Sequence, residues 1–319
     1  MTVLNHSGKA QRVPSQPLVR FCWAVLGYFV AVILWGAVVR ATGSGAGCGN
    51  HWPLCNGTVL LHEASTSTLI EFVHRITSGL SLLLVLGLTL WCWTTTKAGD
   101  IARTTSAAAV FFTITEAILG ALLVALGLTA ESQSLLRPWF LALHLSNTLL
   151  LLAALAMTAH LAGRSTGYSW QTVRIVAPWP ALCGLFAVLA VAVTGSLAAL
   201  GDTLFPAASL SGALSSDFLS TSTWLVRWRW SHPALALIAS GFLVWLLIRS
   251  ARTAGKQKNR LLARTLDSLL LCVYLLGAIN VLLLAPVWSQ LAHLLAADSL
   301  WIALVVLTTR LTLQPSDAA

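Results

Sequence analysis

Val19-Arg-Phe-Cys-Trp-Ala-Val-Leu-Gly-Tyr-Phe-Val-Ala-Val-Ile-Leu-Trp-Gly-Ala-Val-Val-Arg40-Ala-Thr42 is a 24-residue run whose only charges, Arg20 and Arg40, stand near its ends. As a helix rising 1.5 Å per residue it is long enough to cross about 30 Å of hydrocarbon. Similar runs recur near Leu69 to Thr95, Thr104 to Leu128, Pro138 to Ala162, Ala177 to Leu200, Trp230 to Ile248, Leu266 to Leu284 and Val287 to Thr309. Eight candidate spans predict an all-α integral membrane protein. The last two are divided by little more than Ala285-Pro286, where the proline is a natural stop and restart. The whole 319-residue composition agrees, with 57% hydrophobic and 9% charged residues, where a soluble domain carries roughly a quarter charged. A soluble enzyme and a disordered chain are both excluded.

The net charge of +9 reports topology, not nucleic-acid binding. Lys9, Arg12 and Arg20 stand in or beside the N-terminal tail, and Arg249, Arg252, Lys256, Lys258, Arg260 and Arg264 follow the sixth span. With Lys97, Arg103, Arg164, Arg174 and Arg310, 14 of the 19 basic residues fall on one side, which the positive-inside rule makes cytoplasmic, with both termini there. The tail lacks a cleavage site of small residues, so the first run is expected to stay as a signal anchor. The other five basic residues are all arginines near outer span ends: Arg40, Arg75, Arg137, Arg227 and Arg229. Their retention against the rule points to an anionic carboxylate or phosphate held by guanidinium, with snorkelling and lipid contact as the alternative.

Eight histidines occur; His6, His51, His62 and His160 sit in tails, loops or a span end. His74, His144, His232 and His293 lie inside the second, fourth, sixth and eighth spans, each within about two turns of the outer end. Arg137-Pro-Trp-Phe-Leu-Ala-Leu-His144-Leu weakly matches Ala285-Pro-Val-Trp-Ser-Gln-Leu-Ala-His293-Leu. The separations, 158 residues from His74 to His232 and 149 from His144 to His293, suit a duplicated four-helix unit. The expected architecture is therefore two pseudo-symmetric four-helix bundles, 19–162 and 177–309, with a tail at 1–18, a cytoplasmic linker at 163–176 and a tail at 310–319. An ionisable group in a span is costly unless it is used. One such histidine is ordinarily an interhelical hydrogen bond, but four at one depth point to a metal centre, and an imidazole from each of two helices can hold an iron porphyrin from both faces. Zinc fits less well, since no thiol or carboxylate cluster completes a tetrahedral shell at that depth.

Glu71 precedes His74 by three residues and so shares its helix face. It can pair with Arg75 at i+4, or face a cofactor pocket as a carboxylate poised for proton transfer. Glu116 is a second intramembrane acid with no local partner, free to bond across helices, line the same pocket or relay protons. In the first outer loop Cys48 and Cys55 stand close enough to close a short disulfide on an oxidising exterior, and could also be redox active. Cys22, Cys92, Cys183 and Cys272 read as small core residues. Gly201 to Arg229 forms a long Ser-rich outer loop whose Trp224 to Trp230 tail reads first as an interfacial belt and second as a propionate clamp.

Gly36-Ala-Val-Val-Arg-Ala-Thr-Gly-Ser-Gly-Ala-Gly-Cys48, Trp52-Pro-Leu-Cys55-Asn-Gly57, Glu71-Phe-Val-His74-Arg75, Gly120-Ala-Leu-Leu-Val124, His144-Leu, Thr194-Gly-Ser196 with Phe205-Pro206, and His293-Leu together resemble the haem A synthase family across nearly the whole chain. The resemblance implies oxidation of the C8 methyl of haem O to a formyl group by successive hydroxylations, giving haem A for terminal oxidases in a bacterial cell membrane. It implies His74 and His144 as ligands of the substrate haem, His232 and His293 as ligands of a haem b, Glu71 as the catalytic carboxylate, and Cys48 and Cys55 as the family's first-loop pair. Haem O synthase upstream is an implied partner; the electron donor, the oxygen source and a homo-oligomeric assembly stay open. The chain departs from the family in Pro233 after His232, where arginine is frequent, in the absent second outer cysteine pair, and in Glu116, where glutamine is frequent. The rival readings are a bis-histidine membrane cytochrome b that passes electrons and a haem carrier.

Overall fold

The computed structural model describes residues 2–4, 10–12, 16–58, 64–164, 168–176, 179–253 and 257–315. His6, Lys9, His62 and Lys256 lie outside them. The described chain is almost wholly helical: α1 (Gln16–Ala41), α2 (Thr66–Thr95), α3 (Ile101–Ala125), α4 (Leu136–Ala162), α5 (Trp179–Leu204), the short α6 (Leu210–Ser216) and α7 (Trp224–Arg227), then α8 (Ser231–Thr253), α9 (Gln257–Leu282) and α10 (Val287–Thr312). Eight helices, with α7 and α8 joined in one of them, are long and apolar enough to cross a membrane. The chain is a multi-pass membrane protein, as its apolar runs predict.

Local chemistry sets the helix ends. Ser65 caps α2 by accepting the Thr68 amide, and Asp100 caps α3 by accepting that of Ala102. The α9–α10 connection passes through Leu284 and Ala285, at φ of 59° and 53°, before Pro286 opens α10. The predicted outer loop after the fifth span is partly helical, because α5 runs on to Leu204 and α6 and α7 fold within the loop.

Helices α4 and α10 form the centre, about half buried along their spanning windows, against at most 28% for the other six. Around α4 pack α1, α3, α5 and α10, and α10 also meets α1, α5 and α9. One apolar cluster joins α1 to α4 with Trp301 and Val305 of α10, and a second joins α5, α8, α9 and the other face of α10. Apolar lipid gives helices little reason to exclude it, so close packing and interhelical hydrogen bonds matter more. Trp301 Nε1 donates to Leu149 O at 2.7 Å, and Tyr28 to Thr77 O at 2.9 Å. Cys22 and Cys92 are buried, but Cys183 and Cys272, expected in the core, lie on exposed helix faces. Lipid-facing and core-facing surfaces are equally apolar, so composition alone does not separate them.

At one end of the bundle β3 (Val173–Ile175) pairs antiparallel with β4 (Leu313–Pro315), and Asp100 bridges Ser169. A further antiparallel pair joins β1 (Thr2–Leu4) to β2 (Ala10–Arg12). The opposite end carries the first loop, α6, α7 and all four intramembrane histidines.

Candidate functional site

His74, His144 and His232 are each the ninth residue of a spanning segment, counted from Thr66, Leu136 and Trp224; His293 is the seventh of α10. Each ring lies over a glycine of the preceding long helix. A Cβ on Gly36 would stand 3.0 Å from His74 Cε1, one on Gly195 2.9 Å from His232 Cε1, one on Gly277 3.3 Å from His293 Cε1, and one on Gly120 4.0 Å from His144 Cε1. The missing side chains leave the space in which the imidazoles stand. Gly36, Gly120 and Gly195 stand in the motifs that carry the family resemblance, but their place beneath a histidine was not read from them, and Gly277 stands in none; the signal was a glycine inside each apolar run preceding a histidine-bearing one.

His232 and His293 face each other with ring centroids 6.3 Å apart and planes at 87°. Two imidazoles bound to one metal at about 2 Å each have centroids about 6 Å apart once the ring radii are added, so this spacing suits an iron held between them. The hydrogen bonding agrees. His232 Nδ1 lies 3.1 Å from Val191 O, and since a carbonyl only accepts, Nδ1 carries the hydrogen and Nε2 keeps its lone pair. In the other half His74 and His144 lie within electrostatic range of each other and of Glu116. Glu116 Oε1 stands 3.1 Å from His144 Nδ1, and its Oε2 accepts from Asn147 Nδ2 at 2.5 Å. Thr148 bonds Oε1 as well. Glu116 thus bonds across helices to α4, one of the three roles its sequence position allowed.

Glu71 is 3% exposed and ties α2 to the first loop. Its Oε1 takes Arg75 Nη2 at 2.5 Å and Nε at 3.1 Å, and its Oε2 accepts the Cys48 amide at 2.8 Å. Arg75 Nη1 reaches Leu54 O at 2.6 Å and also His51 O. Cys48 and Cys55 form a disulfide that closes the loop carrying those two carbonyls. The ion pair read from the i+4 spacing is present, and it leaves the carboxylate at the loop interface three residues from His74.

The other four arginines expected at outer span ends divide by what occupies them. Arg40 crosses from α1 to Ala199 O (3.0 Å) and Thr203 Oγ1 (2.9 Å) of α5 and Gln290 Oε1 (2.8 Å) of α10. Arg229 binds Asp217 and Asp202, both at 2.9 Å, together with Ser216 Oγ, and so clamps the long loop between α5 and α8. Arg227 is exposed at the end of α7. Arg137 is 3% exposed, gives Nη1 to Ser132 O at 2.8 Å, and has no partner for Nε among the described residues. It lines a crevice with Leu200, Phe205 and Trp224, where α5 and α7 meet the start of α4.

The cytochrome oxidase assembly protein family COX15-CtaA matches residues 19–305, which takes in all eight spans and every histidine of the site. The chain belongs to this COX15-CtaA family. Heme A synthase of Bacillus pumilus is 28% identical over 274 residues, 82% of each chain, and heme A synthase of Alkalihalophilus pseudofirmus is 40% identical over 131 residues, 41% of each. A Thermus thermophilus protein named protoheme IX farnesyltransferase is 42% identical over 292 residues, 92% of this chain and 48% of that one. The chain spans about half the length of that relative. The first-loop disulfide expected from the resemblance is present, while Asn147 and Thr148, which hold Glu116, carry no motif signal.

Proposed function

We propose that this COX15-CtaA protein is a haem A synthase, an oxidoreductase that converts the C8 methyl of haem O to a formyl group by successive hydroxylations. The observation that carries the reading is the recurrence of one arrangement four times: a histidine on α2, α4, α8 or α10 standing over a glycine of the long helix before it. A site duplicated in this way suits two haems. His74 and His144 hold the substrate haem, and His232 and His293 hold a haem b, in two pseudo-symmetric halves of four spans with both termini cytoplasmic. The 6.3 Å spacing and the Nδ1 bond of His232 support the second pair.

When bound, the haem iron supplies the oxidising chemistry, and the chain's own groups position and protect the reacting edge. Glu71, fixed by Arg75 and the Cys48 amide at the outer end of α2, handles a proton or balances charge developing beside the methyl. Arg137, buried with an unpartnered Nε, is the arginine best placed to take a propionate; Arg40, Arg75 and Arg229 have donors engaged by protein acceptors, and Arg227 is open to solvent. The relative named for farnesylating protohaem, in which a segment like this chain makes up about half, supports haem O synthase as the supplier of substrate. A terminal oxidase is the recipient of the product, and the setting is a bacterial cell membrane with the site toward its outer face.

The test is co-expression with a haem O synthase, followed by purification and identification of extracted haems by chromatography and mass spectrometry. Haem A or its hydroxylated precursor is expected, and Glu71→Gln is expected to keep both haems bound while yielding neither product. Haem b alone, with haem O demonstrably available, would make the protein an electron-transfer cytochrome instead.

A further inference from the structure

The two histidine pairs are built alike but are not electrostatically alike. Gly120 faces His144 and Gly277 faces His293, which sets α3 and α9 in register. Four residues before Gly120 stands Glu116, and four before Gly277 stands Val273. Glu116 therefore brings a carboxylate oxygen within 3.1 Å of His144 Nδ1, whereas the neutral Val273 takes the matching place before Gly277 and His293. His232 likewise meets a neutral carbonyl, that of Val191, itself four residues before Gly195. Among the described residues, a carboxylate stands in ion-pair distance of one of these imidazoles only, that of His144.

The carboxylate is also fixed. Asn147 Nδ2 gives one hydrogen to Phe112 O at 2.9 Å, which sets its amide orientation, and the other to Glu116 Oε2 at 2.5 Å. Thr115 Oγ1 holds the Asn147 oxygen at 2.6 Å. Simple glue between α3 and α4 needs no charge, and α9 and α10 pack with Val273 at the matching place. A carboxylate against the outer nitrogen of a metal-bound imidazole raises the ligand's basicity and so favours the more oxidised metal.

We propose that Glu116 is a positioning residue that acts through His144, making the His74/His144 haem the lower-potential member of the pair. The proposal rests on the reading that His144 is an iron ligand. The two centres then differ by design: one is electron-rich at its iron, the other is tuned for accepting and passing electrons.

The test is a redox titration of the purified protein loaded with protohaem, followed by optical spectroscopy and low-temperature EPR, with His144→Ala and His293→Ala used to assign the two components. Glu116→Gln keeps the size and the Asn147 contact and removes the charge. It is expected to move the His144-dependent component to a more positive midpoint and shift its EPR signature, leaving the His293-dependent component in place. Glu116→Asp, which keeps the charge, is expected to shift that component less, and Glu116→Ala, which also removes the charge, decides the matter if the glutamine variant does not accumulate. Unchanged midpoints in Glu116→Gln, or in Glu116→Ala should the glutamine variant not accumulate, with both haems bound, would overturn the proposal while leaving the ligand assignment intact. Failure of His144→Ala to remove either component would overturn the ligand assignment itself.

Discussion

On the proposed reading that His232 and His293 hold a haem, adding a methyl group at Gly195 is expected to expel it, and the other three histidine-facing glycines give the effect a graded scale. The new Cβ would stand 2.9 Å from His232 Cε1, and ordinary contact begins at 3.4 Å, so the ring must retreat by about 0.5 Å. The same reasoning asks His74 for about 0.4 Å in Gly36→Ala (3.0 Å), His293 for about 0.1 Å in Gly277→Ala (3.3 Å), and His144 for nothing in Gly120→Ala (4.0 Å). A metal–ligand bond tolerates roughly 0.2 Å. Gly195→Ala and Gly36→Ala should each lose one haem per chain, Gly277→Ala should keep it with a perturbed EPR spectrum, and Gly120→Ala should match the parent. Alanine is the better helix former by about 0.5–1 kcal/mol, so helix weakening does not account for a loss. The assay is haem per polypeptide by pyridine haemochrome, paired with ferric EPR. Full retention in Gly195→Ala, or a loss in Gly120→Ala as large as in Gly195→Ala, would refute the reasoning.

Three further outcomes follow from contacts at the end of the bundle that carries the four histidines. Arg40→Lys replaces a fork that reaches three acceptors on two helices by a single ammonium, and should cost about 1.5–3 kcal/mol, the worth of a charge-assisted hydrogen bond, read as a lower melting temperature in detergent. Arg229→Ala leaves Asp202 and Asp217 facing each other without a cation and should cost about 3 kcal/mol, opening residues 205–229 to protease while haem binding persists; parental protease resistance would contradict the clamp. Cys48→Ser removes a short covalent loop worth about 2.5 kcal/mol in chain entropy and frees the His51 and Leu54 carbonyls from Arg75, so hydrogen exchange should rise across residues 44–58 and not in the centre of α2.

The spans and the histidines were legible because each rests on a local property. A helix needs about 20 apolar residues to cross the bilayer, and a histidine inside such a run announces itself. The charged groups were harder for the opposite reason. Arg40 reads in sequence as an arginine on the disfavoured side, yet its acceptors are 159, 163 and 250 residues away on two other helices. Arg229 finds Asp202 and Asp217 across a loop that reads as irregular and proves partly helical. Only Glu71 and Arg75, one helical turn apart, could be paired from spacing, and even there the Cys48 amide and the loop carbonyls that complete the cluster were out of view.

Glu116 shows why duplication helps where single motifs fail. Alone it is an acid in a span with no partner in reach along the sequence, consistent with glue, a pocket wall or a relay. Placed against its counterpart through the two glycines that face His144 and His293, it becomes a difference between otherwise matched surroundings, carboxylate against valine. Two halves that each set their histidines over glycines but differ in the group beside His144 are suited to different tasks. Bonding α3 to α4 explains why a polar residue is tolerated at that position, and the approach to His144 Nδ1 explains why that residue is a glutamate.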